Sequence, residues 1–173
     1  MHSENEIEAL VLAKAKQAHF TEFHRFFLEH PTEIAALVSL ALSFKKHPVP
    51  AYSAWLLVHI SKAKPALLLP FQKQFEQALL TTTNHSIQRS LLALLLELPF
   101  CDEAHEGPLL DVLFEIFKTY EFKVVNRVLA LYLLKRFVQK YPELDPEIRA
   151  QIELIQANGL QPAMKVAIRN YLN

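Results

Sequence analysis

From residue 4 to residue 172 the apolar side chains recur at three- and four-residue intervals. That is the spacing of one face of an α-helix, and strand-type alternation is nearly absent. The runs are interrupted by proline, by Thr/Asn and by short polar clusters, which is the punctuation of short helices joined by turns. Ser3 and Glu6 have the spacing of a capping box, opening a helix that reaches about His30 with a break near Thr21. Pro31 suits the first position of a helix over 31–45. Further helices are expected over 50–64, 66–80 and 84–98, then from Pro108 to about Tyr120 and over 122–140. Asp145-Pro146-Glu147 reads as N-cap, first position and first-turn acid of a helix over 145–157. Asn158-Gly159 is a stop signal, and a last helix covers 161–172.

Composition limits what such a chain can do. Hydrophobic residues make up 51%, with 12 Phe, so a packed core is expected rather than disorder. Gly107 and Gly159 are the only glycines, and they lie far apart. A loop that cradles a dinucleotide or a phosphate needs several glycines close together, so both motifs are excluded. One cysteine excludes an internal disulfide and any CxxC zinc site. Lys+Arg and Asp+Glu both number 18, which gives no global electrostatic footprint for nucleic acid. The acidic opening "MHSENEIEAL" is unlike a secretory signal, and no apolar run reaches ~18 residues. A cytoplasmic protein without a membrane span is expected.

The layout of short helices calls for a search for repeats. "SIQRSLLALLLEL" (86–98), "VVNRVLALYLLKR" (124–136) and "VAIRNYLN" (166–173) each place an arginine ahead of an apolar run. Arg89, Arg127 and Arg169 recur about 40 residues apart, the length of one helix hairpin in repeat proteins. Each of these helices follows a partner, at 66–80, 108–120 and 145–157; a further pair, 31–45 with 50–64, has Ala54 near the arginine position. The segment "LLLPFQKQFEQALLTTTNHSIQRSLLALLLEL" (67–98) resembles a HEAT repeat, with Pro70 in its first helix and Ile87 and Arg89 opening the second. "GPLLDVLFEIFKTYEFKVVNRVLALYLLKRF" (107–137) is similar. The resemblance implies one all-α domain over 1–173: a right-handed α-α superhelix of about four HEAT-like hairpins (31–64, 66–98, 107–140, 145–172). The helix within 1–30 would cap one end.

Chemistry-bearing clusters are few. "CDEAHEG" (101–107) offers Cys101, Asp102, His105 and Glu106 as metal ligands, but it falls between Pro99 and Pro108 and reads as a polar loop. His19, His24 and His30 scatter around a helix instead of sharing a face, and no HExxH is present. His59 reads as a partly buried structural histidine. No catalytic constellation, cofactor site or metal site is expected, and the chain reads as a non-enzyme.

The resemblance implies that the second helices line a concave face. Trp55, Lys62, Arg89, Lys123, Arg127, Lys135 and Arg169 are the candidates for it. The arginines admit two readings: an internal ladder that holds the stack in register, or a basic groove that grips an acidic peptide or a phosphate backbone. Trp55 with Tyr52 is either core or a binding anchor. A protein-interaction scaffold with a protein partner is the function expected. The alternative is a nucleic-acid binder related to the DNA alkylation-repair glycosylases of HEAT-like fold, which the balanced charge disfavours. The apolar last repeat is also compatible with a homo-oligomer.

Overall fold

The structure is a computed structural model that describes residues 2–17, 20–43, 47–99 and 103–173, with the side chains of all of these except 21 and 103–105. Among the described residues the regular elements are helices: ten α-helices with four short 3₁₀ segments between them. They are α1 (Glu4–Ala15), α2 (His24–Glu29), α3 (Ile34–Leu42), α4 (Val49–Ala63), α5 (Gln72–Thr81), α6 (His85–Glu97), α7 (Glu103–Lys118), α8 (Val124–Lys140), α9 (Asp145–Ala157) and α10 (Pro162–Leu172). The chain divides into two compact units, residues 1–100 and 101–173. Among the described residues no helix is long and apolar enough to cross a membrane.

In the first unit α3 pairs with α4 and α5 with α6. The two second helices also pack on each other, α4 against α6. That contact joins one hairpin to the next; Leu56, Leu57 and Ile60 of α4 and Leu91, Leu92 and Leu95 of α6 are all buried. Each such side chain contributes roughly 1.5–3 kcal/mol of burial. Helix α1 covers α3 and α4, so Ile7 and Val11 are fully buried. Its start is fixed twice. The Ser3–Glu6 capping box forms, and the His2 backbone N–H donates to both carboxylate oxygens of buried Glu33 at 2.9 and 3.0 Å. In the second unit α7 pairs with α8, and α10 packs on α8. The core there holds Leu113, Phe117, Leu134, Phe137, Ile152 and Ile168.

Three local expectations are corrected. The helix expected from Pro108 begins at Glu103, so the second half of "CDEAHEG" is helical and Pro108 lies inside α7. Proline has no N–H to return to the carbonyl four residues earlier, so α7 forgoes one ladder hydrogen bond in its second turn. Cys101 and Asp102 lie outside the described residues. Next, the helix expected over 66–80 starts as a 3₁₀ segment, Pro65–Phe71, with the α-helix following at Gln72; Pro65 and Pro70 both lack the N–H that an α ladder uses. Lastly, the N-cap of α9 is Leu144 and not Asp145. The 3₁₀ turn Pro142–Leu144 runs straight into the helix, which leaves Asp145 as its first residue. The Asp145 carboxylate instead meets Arg149 and accepts from the Tyr171 hydroxyl at 2.7 Å.

Candidate interaction surface

Helix α4 has two faces. Ser53, Ala54, Leu56, Leu57 and Ile60 are buried, while Tyr52, Trp55 and His59 are half-buried and Lys62 is exposed. The last four recur at three- and four-residue steps, so they form one outward stripe. Two elements before α4 add to it. Phe20, in the 3₁₀ segment Phe20–Phe23, stacks on Trp55 (ring centroids 5.2 Å, interplanar angle 16°) and meets Tyr52 edge-on at 5.2 Å. His24, the first residue of α2, lies 5.6 Å from His59, which in turn lies 4.0 Å from Trp55. Removal from water, and then the charges of His24 and Lys62, hold the His59 imidazole below its ordinary pKa.

Helix α6 supplies the other side. Arg89 is exposed, and among the described residues it makes no ion pair or hydrogen bond. Between α4 and α6 lies a cleft of about 250 Å³ bounded by Phe20, His47, Tyr52, Trp55, Ser86 and Arg89. Asn84 caps the helix there, its side chain accepting from the N–H groups of Ser86 (2.9 Å) and Ile87 (3.3 Å). That cap fixes the turn that carries Arg89.

The arginines do not share a register. The buried positions Arg127, Ala130, Leu131, Leu133, Leu134 and Phe137 of α8 repeat as Gln88, Leu91, Leu92, Leu94, Leu95 and Leu98, and again as Pro50, Ser53, Ala54, Leu56, Leu57 and Ile60. In α10 the same spacing gives Met164, Ala167, Ile168 and Tyr171. The inward position that holds Arg127 therefore holds Pro50, Gln88 and Met164 elsewhere. Arg89 is one residue beyond its inward position, turned outward by the helix, and Arg169 is exposed on α10.

Arg127 is 5% exposed. Its Nε donates to the Phe117 carbonyl at 2.9 Å, and its guanidinium lies 4.3 Å over the Tyr120 ring. Phe117 is in the last turn of α7, where carbonyls lack helical partners and the helix dipole favours a cation. Lys135, half-buried, donates to the Asn170 carbonyl and lies 5.8 Å from the Tyr171 ring. Lys123 is exposed at the N-cap of α8. Of the seven sequence candidates, Trp55 and Arg89 thus meet at one cleft and Lys62 extends its stripe. In the second unit, Arg127 and Lys135 bond to neighbouring helices.

Phe20 and His47 were not candidates, and no local pattern marks them: they come from segments before α4 and reach the cleft only through the packing of α2 and α4. Glu106, a metal candidate, is buried and is engaged by the Lys140 ammonium at 2.7 Å and the Tyr141 hydroxyl, which ties the start of α7 to the end of α8. Among the described residues no three His, Cys, Asp or Glu side chains converge on a metal position.

Helix hairpins stacked through their second helices, with one inward register repeated along the chain, match a known family over residues 7–173: the HEAT repeat domain. The chain belongs to that family. No curated protein and no solved structure matches it. In HEAT repeat terms the cleft lies between the second helices of two consecutive hairpins, α4 and α6, and Arg127 sits at a position facing the first helix of its own hairpin.

Proposed function

We propose that this HEAT repeat protein is a non-catalytic, cytoplasmic interaction scaffold that holds a protein partner on the α4–α6 face of its first unit. The observation that carries this reading is the half-buried aromatic stripe of Tyr52, Trp55 and Phe20 beside the exposed guanidinium of Arg89, which makes no ion pair or hydrogen bond among the described residues. Tryptophan, tyrosine and arginine dominate binding energy at protein interfaces, because large rings bury much area at little entropic cost and a guanidinium makes directional bonds. The rings of this stripe are already braced against one another, so little ordering is left for binding to impose.

The test is capture from the protein's own cell extract by the parent, by Trp55→Ala and by Arg89→Glu, each with and without nuclease. The reading expects proteins retained by the parent, resistant to nuclease, and lost with Trp55→Ala; a binding hot spot costs about 2 kcal/mol or more when truncated, ~30-fold in affinity. Capture that disappears with nuclease would move the reading to nucleic acid. Equal capture by all three proteins would remove the α4–α6 face from it.

A further inference from the structure

Resting on the scaffold reading, we infer that the α4–α6 cleft takes an acidic peptide segment: an aromatic or long aliphatic side chain lodged against Trp55, with a neighbouring carboxylate on Arg89. Three observations lead there.

The first is size. A cleft of about 250 Å³ is smaller than the ~300–1,000 Å³ that drug-sized molecules and cofactors occupy. It has room for one large side chain. The second is charge. Arg89 is among the lining residues, and among the described residues no carboxylate lines the cleft. Exposed Lys62 adds a second positive charge along the α4 stripe. The nearest acid in sequence to Phe20 is Glu22, and it is within 3.9 Å of Arg25; Glu97 lies about two turns further along α6 from Arg89. A guanidinium without a partner favours a carboxylate, which it can bond through two parallel N–H groups.

The third is the state of the rings. Trp55 is in contact with Phe20 and His59, and Tyr52 with Phe20 and His47. Stacking of successive nucleic-acid bases needs ring faces offered to solvent along a basic track of several phosphate contacts. Here the rings are engaged with one another and the cleft offers a single guanidinium. An acidic peptide uses the same surface with one apolar anchor and one ion pair.

The sole tryptophan of the chain is Trp55, so its fluorescence reports directly on the cleft. The probe is a blocked peptide alternating glutamate with leucine and phenylalanine. It is compared with the lysine-for-glutamate peptide and with single-stranded oligothymidylate. The expected result is a saturable change in Trp55 emission with the acidic peptide only. The apparent Kd should rise at least ~10-fold in Arg89→Glu and in the milder Arg89→Gln, and it should rise with added salt. Arg89 is exposed, so both variants are expected to keep the parent's circular dichroism and melting temperature. No saturable change with the acidic peptide, an equal response to the lysine peptide, or a response to the oligonucleotide alone overturns the inference. The two readings fail separately: extract capture that is lost with Trp55→Ala but kept in Arg89→Glu leaves the scaffold standing and overturns the acidic preference alone.

Discussion

Arg89 and Arg127 open similar stretches of sequence and have opposite surroundings. Arg127 holds a carbonyl of α7 under the Tyr120 ring, so Arg127→Ala should lower the melting temperature by a few degrees, about 1–2 kcal/mol for a lost charged hydrogen bond. Arg127→Lys should recover little of it, because a lysine ammonium cannot reproduce the planar guanidinium that bonds through Nε while lying on the ring. Arg89→Ala, by contrast, should leave the melting temperature within the scatter of surface changes. The ladder-or-groove alternative read from the sequence treated the arginines as one set. Pattern matching aligned them on the letter R; the burial register differs by a single residue at Gln88, and on a helix one residue is enough to turn a side chain from inside to outside. His59 gives a prediction of another kind. Its unfolded-state pKa is near 6.5, and in the folded protein it is lower, so between these values the unfolded chain binds more protons. Stability therefore falls as pH drops from about 6.5 toward the folded value, and is recovered above it. Burial sets this first, and the charges of His24 and Lys62 add to it, with no carboxylate among its causes. His59→Gln should flatten the melting temperature against pH in that window. It should leave the more acidic loss intact, which comes from Glu33 and Asp145, both held below their ordinary pKa. An unchanged pH profile in His59→Gln would show that another group titrates there.

At the scale of elements, helix existence was legible and helix starts were less so. Asn84 caps α6 through its side chain. Asn84→Ala should cost about 1 kcal/mol and lower the melting temperature by roughly 2–4 °C, and it should loosen the turn that carries Arg89. Asp145 carries an equally good cap signal, yet the 3₁₀ turn before it continues the helical path and makes it a helical residue. Its carboxylate is then free to link α9 to α10 through Tyr171. A single-sequence reading sees the residue type and not whether the preceding backbone is already turning. The same limit explains α7. Pro108 read as a first residue, whereas the helix begins at Glu103 and brings Glu106 inward to Lys140 and Tyr141, partners that lie 34 and 35 residues away. No local rule anticipates a partner at that distance.

At the scale of the whole molecule, the all-helical character could be read from period and punctuation, and the hairpin architecture from the resemblance to HEAT repeats. The family match runs continuously over residues 7–173, across the boundary between the two compact units. The candidate site was legible only in part. Trp55, Tyr52, Lys62 and Arg89 stand out as residue types on second helices; Phe20 and His47 enter through packing that no spacing encodes. The central claim is that a protein partner sits on the α4–α6 face. The measurement that tests it most directly is photo-crosslinking in living cells, with a photoreactive phenylalanine replacing Arg89 and, as control, Arg169 in the second unit. The account predicts discrete protein adducts from position 89 that withstand nuclease and are absent from position 169. Adducts that are nucleic acid, or the same adducts from both positions, would contradict it.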